Sequence, residues 1–395
     1  TAFVLSKQKP SGQGGIYYRL VEGKNCTDKE RLFISHIHGN EDGNRIYYPN
    51  VEQKNFEKIP GCPIGYNLSD KFLSLFSNTN NLDSDGNTFR IGLMTGDNKR
   101  FLRLWHEVSD ANIFFNCISE EESVNSSKVW YPINSGGCYR KWYGNQTTIA
   151  NWLHNGKEMK EDAVIRNNGS HWSRYIVGVD KYYKEGISWN AISSGKICLR
   201  SYNKGFLIGH SSVCGFCNDD KYVMAFLNTP VAVSLLQILS PTVNYGSTQV
   251  NKLPIIYSRI EEIDKTTEQS ISISKQDWDA HETSWDFQRN ELLAIDAKTY
   301  EDNVRYEEEK RSAETDGHIH EHIQTAPAAP PQFGSLEWRM KQYKLKWERN
   351  FMRLHANEEE LNRLFIGIYG LQDELTPDVP LDEITILQQG EISVE

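Results

Sequence analysis

Arg140, Lys141, Trp142 and Tyr143 stand in one run, shortly after the flexible pair Gly136-Gly137. An arginine can grip a guanine edge with two hydrogen bonds, and a lysine can neutralise a phosphate. Aromatic rings can stack on bases or wedge between them. The segment Thr95–Trp105 has the same logic: a glycine turn with Asp97 and Asn98 leads into Lys99, Arg100 and Arg103, interleaved with Phe101, Leu102 and Trp105. Its apolar side chains can anchor the backbone while the cations reach phosphates. A third stretch, Gly186–Gly195, sets Ser193 and other hydroxyls near Trp189 and is followed by Arg200. Any one of these suits an ordinary amphipathic element. Together they point to nucleic acid, on the condition that their side chains converge on one surface.

Other chemistries find less support. Cys214-Gly-Phe-Cys217 is a single CxxC, whereas a structural zinc site wants four ligands, so a plain pair of thiols is the better reading. His318-Ile-His-Glu-His322 and His36-Ile-His38 read as solvated. The sequence has no P-loop, no Gly-x-Ser-x-Gly elbow and no His-Glu-x-x-His helix. An exocyclic-amine methyltransferase needs an Asn/Asp-Pro-Pro-Tyr/Phe element to hold a flipped base and a glycine-rich loop after a strand for its methyl donor. Neither occurs: Gly14-Gly15 falls in a hairpin turn, and Pro330-Pro331 falls in a linker. No catalytic residue, metal ligand or cofactor is therefore assigned to this chain.

Composition fits a reader of nucleic acid. The net charge is −10 over 395 residues, but it is unevenly spread. Residues 1–255 hold 28 Lys+Arg against 23 Asp+Glu, residues 256–395 hold 15 against 30, and Ser126–Lys204 hold 12 against 5. Only the docking face of a protein must be positive to attract phosphate. Seven scattered cysteines, an odd count, argue against a disulfide framework and for a reducing, cytoplasmic setting. No apolar run approaches the ~20 residues of a membrane span, so no membrane is expected.

The elements that must position these residues can be sketched. Thr1–Leu5 and Ile16–Val21 read as strands joined by a turn, a hairpin marginal by itself, which suggests part of a larger sheet and a longer polypeptide. Asp28–His36 and Ser69–Phe76 read as short helices, and the polar run Asn78–Asn87 as a boundary. From Phe89 to Ile255 come short strands and glycine turns, with one helical run over Asp219–Leu239; six of the ten tryptophans lie here. Asp277–Arg289 and Leu292–Arg311 look helical, and Thr315–Gly334 reads as a loop or linker, proline-rich near 325–334. Leu336, Met340, Tyr343, Trp347, Phe351 and Leu354 form one stripe on a long helix. Asn357 with Glu360 would cap a second helix, Glu358–Tyr369, stopped at Gly370, and Asp382–Leu387 reads as a further strand.

Longer phrases carry a family resemblance. They are Gly92–Trp105, Trp130–Gly144, Lys184–Trp189, Tyr222–Asn228, Leu239–Thr242 with Leu253–Ile255, Asp277–Asp279 with Thr283–Phe287, and Glu360–Arg363 with Ile368–Pro377. The chain resembles the PglX family, adenine-specific DNA methyltransferases of BREX phage-defence systems that are similar to type IIG restriction–modification enzymes. The resemblance implies an α+β multidomain chain. Residues 1–90 would be the end of a methyltransferase domain and its sheet with a connector, 91–255 a mixed α/β target-recognition domain, and 256–395 a mainly helical region. The longer protein would transfer a methyl group from S-adenosylmethionine to adenine N6 after the base leaves the duplex. This chain would hold double-stranded DNA, with other phage-defence proteins as further partners. On that reading Lys99, Arg100, Arg103 and Lys141 contact phosphates. Arg140, Trp142, Trp189 and Ser193 lie near base edges, and Tyr143 and Arg200 complete the surface. Two rivals stand beside it: a free-standing DNA-specificity subunit, and a non-catalytic scaffold that assembles defence proteins through its acidic helical end.

Overall fold

The computed structural model describes residues 14–37, 46–192, 195–239, 245–316 and 331–387. The strand expected over Thr1–Leu5, the residues Ser193 and His38, the run His318–His322 and the proline-rich run up to Pro330 lie outside them. The chain opens with β1 (Gly15–Tyr18), α1 (Cys26–Ile37) and β2 (Tyr47–Val51), and β1 and β2 pair antiparallel in a two-stranded sheet. The sheet is held mainly by rings: Tyr17 stacks on Tyr66 at 4.9 Å, and Tyr18 meets Phe33 edge-on at 4.8 Å. Next is α2 (Asp70–Asn78), whose start is fixed by the Ser69 hydroxyl accepting the Phe72 N–H at 3.3 Å.

Strands and short helices then alternate: β3 (Thr88–Arg90), α3 (Asn98–Phe101), β4 (Leu102–Leu104), α4 (Glu120–Asn125), β5 (Trp130–Asn134), β6 (Trp142–Tyr143), β7 (Thr148–Asn151), α5 (Leu153–Arg166), β8 (Gly186–Asn190), β9 (Arg200–Tyr202), β10 (Leu207–Ile208) and β11 (Ser212–Phe216). They build two mixed sheets, one in the order β10-β5-β7-β4 and the other β3-β11-β8-β9-β6. Gly92 is needed where the chain crosses between them, because a Cβ there would lie 1.9 Å from the Ile208 carbonyl oxygen.

Helices follow: α6 (Asp220–Leu227), α7 (Pro230–Leu239), α8 (Ser247–Val250), α9 (Ile260–Asp279), α10 (Ala297–Asp316) and α11 (Leu336–Tyr369). The single helix expected over Asp219–Leu239 is two, bent by 72°, because Pro230 cannot continue α6 and instead starts α7. Among the described residues no single helix is long and apolar enough to cross a membrane, and this bent pair is mostly buried core. The helix expected over Asp277–Arg289 is displaced: α9 ends at Asp279. The pair expected on either side of Asn357 is one unbroken helix of 34 residues, with Asn357 buried inside it. It does stop at Gly370, which takes φ 67° while the Leu371 N–H closes on the Ile366 carbonyl at 2.9 Å. Residues Ile384–Ile386 are buried but pair with no strand.

The architecture is α+β. The five-stranded sheet separates two cores by simple alternation along its strands. Val213 with Ile187 and Trp189 faces the helices, among Tyr222, Phe226, Leu235, Ile263, Leu361 and Phe365. Cys214 with Tyr202 faces the other way, toward Tyr131, Ile133, Trp152, Met159 and Phe206. The helical region is thus no appendage, for α9 and α11 join α6 and α7 in the core on one face of the central sheet. The stretches where divisions were drawn also touch, with the Leu82 N–H donating to the Leu253 carbonyl at 3.0 Å. The chain enters and leaves the central sheets at one place.

Where α6 meets α9, carboxyls crowd. Burial pushes Asp220 up to about 6, and burial with Asp219 beside it pushes Asp264 up to about 6. A carboxyl raised in the folded state binds protons more tightly there than when unfolded. Its contribution is therefore full below the unfolded value and lost as pH rises through about 6. Urea unfolding of the wild-type chain should show stability rising as pH falls from 7 to 5, with the rise flattened in the Asp220→Asn/Asp264→Asn variant; equal slopes would refute the assignment.

Candidate nucleic-acid interface

The first basic segment begins at Gly96, in the left-handed region at φ 73°, and at Asp97, whose carboxylate accepts the Arg100 N–H at 3.1 Å and so starts α3. Phe101 is fully buried and fastens the turn, and β4 then pairs with β7 at the edge of its sheet. The three cations differ in their freedom. Lys99 is exposed and has no carboxylate partner among the described residues. Arg103 lies over the Trp130 ring, its Nη1 donating to the Lys99 carbonyl at 2.5 Å and the Leu102 carbonyl at 2.6 Å. Arg100 is exposed, yet held by Glu158 at 2.7 Å and Asp162 at 3.2 Å on α5. The Glu158 bond, ahead of a small opposing effect of burial, raises its pKa further.

The second segment turns inward. Arg140 donates to the Tyr143 carbonyl at 2.7 Å and to Asp277 at 2.6 Å, and lies over the Trp278 ring. Gly144 makes room for it: φ is 126°, and a Cβ would meet the Arg140 Nε at 2.4 Å and Trp278 at 2.9 Å. Lys141 is buried with its Nζ 2.5 Å from Glu358 on α11, and the Trp142 indole donates to the other oxygen of that carboxylate at 2.7 Å. Burial opposes the charge on Lys141, but Glu358 more than offsets it, so the ammonium is held above the usual lysine range. Trp142 itself takes φ 70°, and its position in β6 is enforced by parallel pairing with β9. Tyr143 is buried under Lys275, whose ammonium sits 4.8 Å from the ring centre. Trp189 is fully buried in β8 and donates to the Tyr245 carbonyl at 2.7 Å.

Arg200 is buried as well, and no carboxylate pairs with it among the described residues. It donates to Asn190 Oδ1 at 2.9 Å, and the Asn190 amide donates in turn to the Gly137 carbonyl at 2.6 Å. Burial, with Arg140 nearby, pushes the guanidinium below the usual arginine range. Its visible work is to brace Asn190 and, through it, the Gly136-Gly137 turn.

The single groove-fitting surface expected from the sequence is not formed. Lys99, Arg100 and Arg103 lie at the edge of the four-stranded sheet. Arg140, Lys141, Trp142, Tyr143, Trp189 and Arg200 lie inside the five-stranded one, six side chains whose donors and rings are spent on internal partners. Those six position the backbone, and all but the partly exposed Arg140 are buried. The sequence reading missed their counterparts, Asp277, Glu358 and Asn190. Asp277 stands in Asp277-Trp-Asp279, Glu358 at the start of an expected helix and Asn190 within Gly186–Gly195, with nothing in the sequence to tie them to Arg140, Lys141 or Arg200. Cys214 and Cys217 are free thiols on and just after β11, the former pushed up to about 12 by burial.

The buried pair makes a measurable difference from the surface one. Removing one partner of a buried ion pair costs ~3–5 kcal/mol, whereas an exposed pair contributes ~0–1 kcal/mol. Glu358→Ala should therefore lower urea-unfolding stability severalfold more than Arg100→Ala. Lys141→Met combined with Glu358→Gln, which keeps an acceptor for Trp142, should recover much of the loss. Equal effects of Glu358→Ala and Arg100→Ala would show that the clasp is not what joins β6 to α11.

No family model matches the chain. Two curated proteins are similar to it. The adenine-specific methyltransferase PglX of Lacticaseibacillus casei (strain Zhang) is 35% identical over 390 residues, covering 98% of this chain and 29% of that protein. The adenine-specific methyltransferase BrxX of Escherichia coli O9:H4 (strain HS) is 31% identical over 301 residues, covering 74% of this chain and 22% of that protein. The chain spans under a third of the length of these relatives, yet in the first case nearly all of it is matched. Identity of this extent over nearly the whole chain places it in the PglX family of adenine-specific methyltransferases.

Proposed function

We propose that this chain is the DNA target-recognition portion of a longer, site-specific adenine-N6 methyltransferase of a BREX- or restriction–modification-type phage-defence system, acting in the cytoplasm. One observation carries the reading: similarity to an adenine-specific methyltransferase covers 98% of the chain, although the chain holds neither the base-holding element nor the donor loop such chemistry needs. What a methyltransferase needs besides these is a way to hold its substrate.

S-adenosylmethionine would serve the longer protein, and the residues here do not fit it. The Gly14-Gly15 pair leads into antiparallel β1, and a Cβ on Gly14 would lie 2.3 Å from the Asn50 carbonyl carbon. The pair faces a neighbouring strand instead of opening a strand-to-helix turn onto a phosphate or a carboxylate. No step of methyl transfer is assigned to this chain.

Duplex DNA would meet the edge of the four-stranded sheet, with Lys99 and Arg103 on phosphates. Lys99 has no carboxylate partner among the described residues, and Arg103 is pre-set by two backbone carbonyls, so neither must abandon a carboxylate to bind. Arg100 is the reserve cation, since Glu158 and Asp162 compete for it. Arg140, Lys141, Trp142, Tyr143, Trp189 and Arg200 act from within, by fixing the loops above them.

Filter binding of duplex DNA to the 395-residue chain across a salt series tests this. Lys99→Ala and Arg103→Ala should each weaken all sequences alike and flatten the salt slope by about one unit. If the double variant keeps both the affinity and the slope of the wild type, the phosphate assignment is wrong.

A further inference from the structure

Immediately after β7 the backbone does something costly. His154, Asn155 and Gly156 take φ 50°, 57° and 71°, three left-handed residues in a row, two of them with side chains. Strain of this kind persists only where surroundings over-determine it, and it gathers at sites that bind or react. Here the Trp152 indole donates to Asn155 Oδ1 at 3.1 Å and to the Tyr183 hydroxyl at 2.8 Å, while the Asn155 amide donates to Glu120 at 2.6 Å. The turn forms one wall of a cleft of about 350 Å³ between α4, α5 and Trp172.

The cleft has two kinds of lining. Val124, Val164 and Trp172 make an apolar wall, and His154, Lys157 and Lys160 place basic groups beside it. Lys160 is half-buried, its ammonium 5.4 Å from the centre of the Trp152 ring and 5.0 Å from that of Trp172. Among the described residues it makes no ion pair, and burial lowers its pKa. An ammonium kept beside two indoles, with Glu120 acting on it only from beyond ion-pair distance, is held ready for an anion. Glu161 on the rim and Glu120, bonded to the lining residue Asn155, disfavour an anion placed at their ends.

We propose that this cleft takes a single nucleotide, its base packed on the wall of Val124, Val164 and Trp172 and its phosphate met by Lys157 and Lys160. An apolar wall beside two cations matches a base joined to a phosphate, and the volume falls within the range of small-ligand sites. The cleft shares α5 with the Lys99–Arg103 edge, because Arg100 is bonded to Glu158 on the neighbouring face of that helix. A strand displaced from a duplex held at that edge is one source of the nucleotide, a reading that rests on the proposed function. A free nucleotide is the other.

Equilibrium dialysis of the full chain against dAMP, inorganic phosphate and single-stranded d(A)6 tests this. The expected result is dAMP binding well above that of phosphate, weakened about tenfold by Trp172→Ala and by Lys160→Met, since one stacked base carries an effect of that order. Trp172→Phe should restore most of the binding. Lys160→Met keeps the aliphatic stem between the rings, so it reports on the charge even if Trp172→Ala fails to fold. Tighter binding of d(A)6 than dAMP marks a strand as the source, and equal binding marks a free nucleotide. No dAMP binding, or dAMP binding that ignores both variants, overturns the proposal. Duplex binding without dAMP binding sinks the cleft and leaves the sheet-edge interface standing; dAMP binding without duplex binding does the reverse.

Discussion

Glu358 is the carboxylate on which the arrangement depends. Its two oxygens take the Lys141 ammonium and the Trp142 indole in a place without solvent, while Asp277 takes Arg140 one residue earlier. Neither acid could be buried alone, and neither cation could be. Because the acids sit on α11 and α9 and the cations on the approach to β6, the central sheet cannot adopt this edge unless both helices are docked. The Thr385 hydroxyl, accepting from the Lys141 N–H, and the Leu387 N–H, donating to Asp277, close the same knot from the end of the described chain.

This constraint separates two sorts of basic residue that look alike in sequence. Cations near β6 are consumed in holding the fold, and those on α3 and β4 stay at the surface. The division follows from where acids are available in space. Arg100 shows the intermediate case, exposed but shared with two carboxylates of α5. The cleft beside Trp172 shows the converse, a half-buried lysine that makes no ion pair among the described residues.

Much of the local structure was legible, because it is dictated locally. Ser69 starts α2, Gly370 stops α11, and the glycine turn before Lys99 leads where Asp97 directs it. What depended on distant partners was not. The helix α9 showed no continuous apolar stripe, since beside Ile263 and Ile273 its buried positions are Thr267, Ser270, Ser274 and Asp277, small and polar residues that let it pack closely against α6 and α11. The hydroxyls of Thr267 and Ser270 bond back to carbonyls of their own helix at 2.7 and 2.9 Å, whereas the buried Ser274 hydroxyl has no partner among the described residues. Asn357 and Glu360 imitate a helix start, but Asn357 faces Ser270 across the interface at 3.4 Å instead. For the site, the decisive facts were that Asp277 lies 137 residues from Arg140 and Glu358 lies 217 residues from Lys141. Nothing in the run Arg140–Tyr143 announces those acids, and without them its cations and rings read as a surface.

The contact between Leu82 and Leu253 makes residues between them resemble a cassette, with both seams side by side. The clasp at β6 qualifies that modularity. A segment transplanted between relatives at those seams would bring its lysine and arginine into a host whose acids lie outside the exchanged stretch. An exchange at those seams must therefore either preserve those two acidic positions or carry them along.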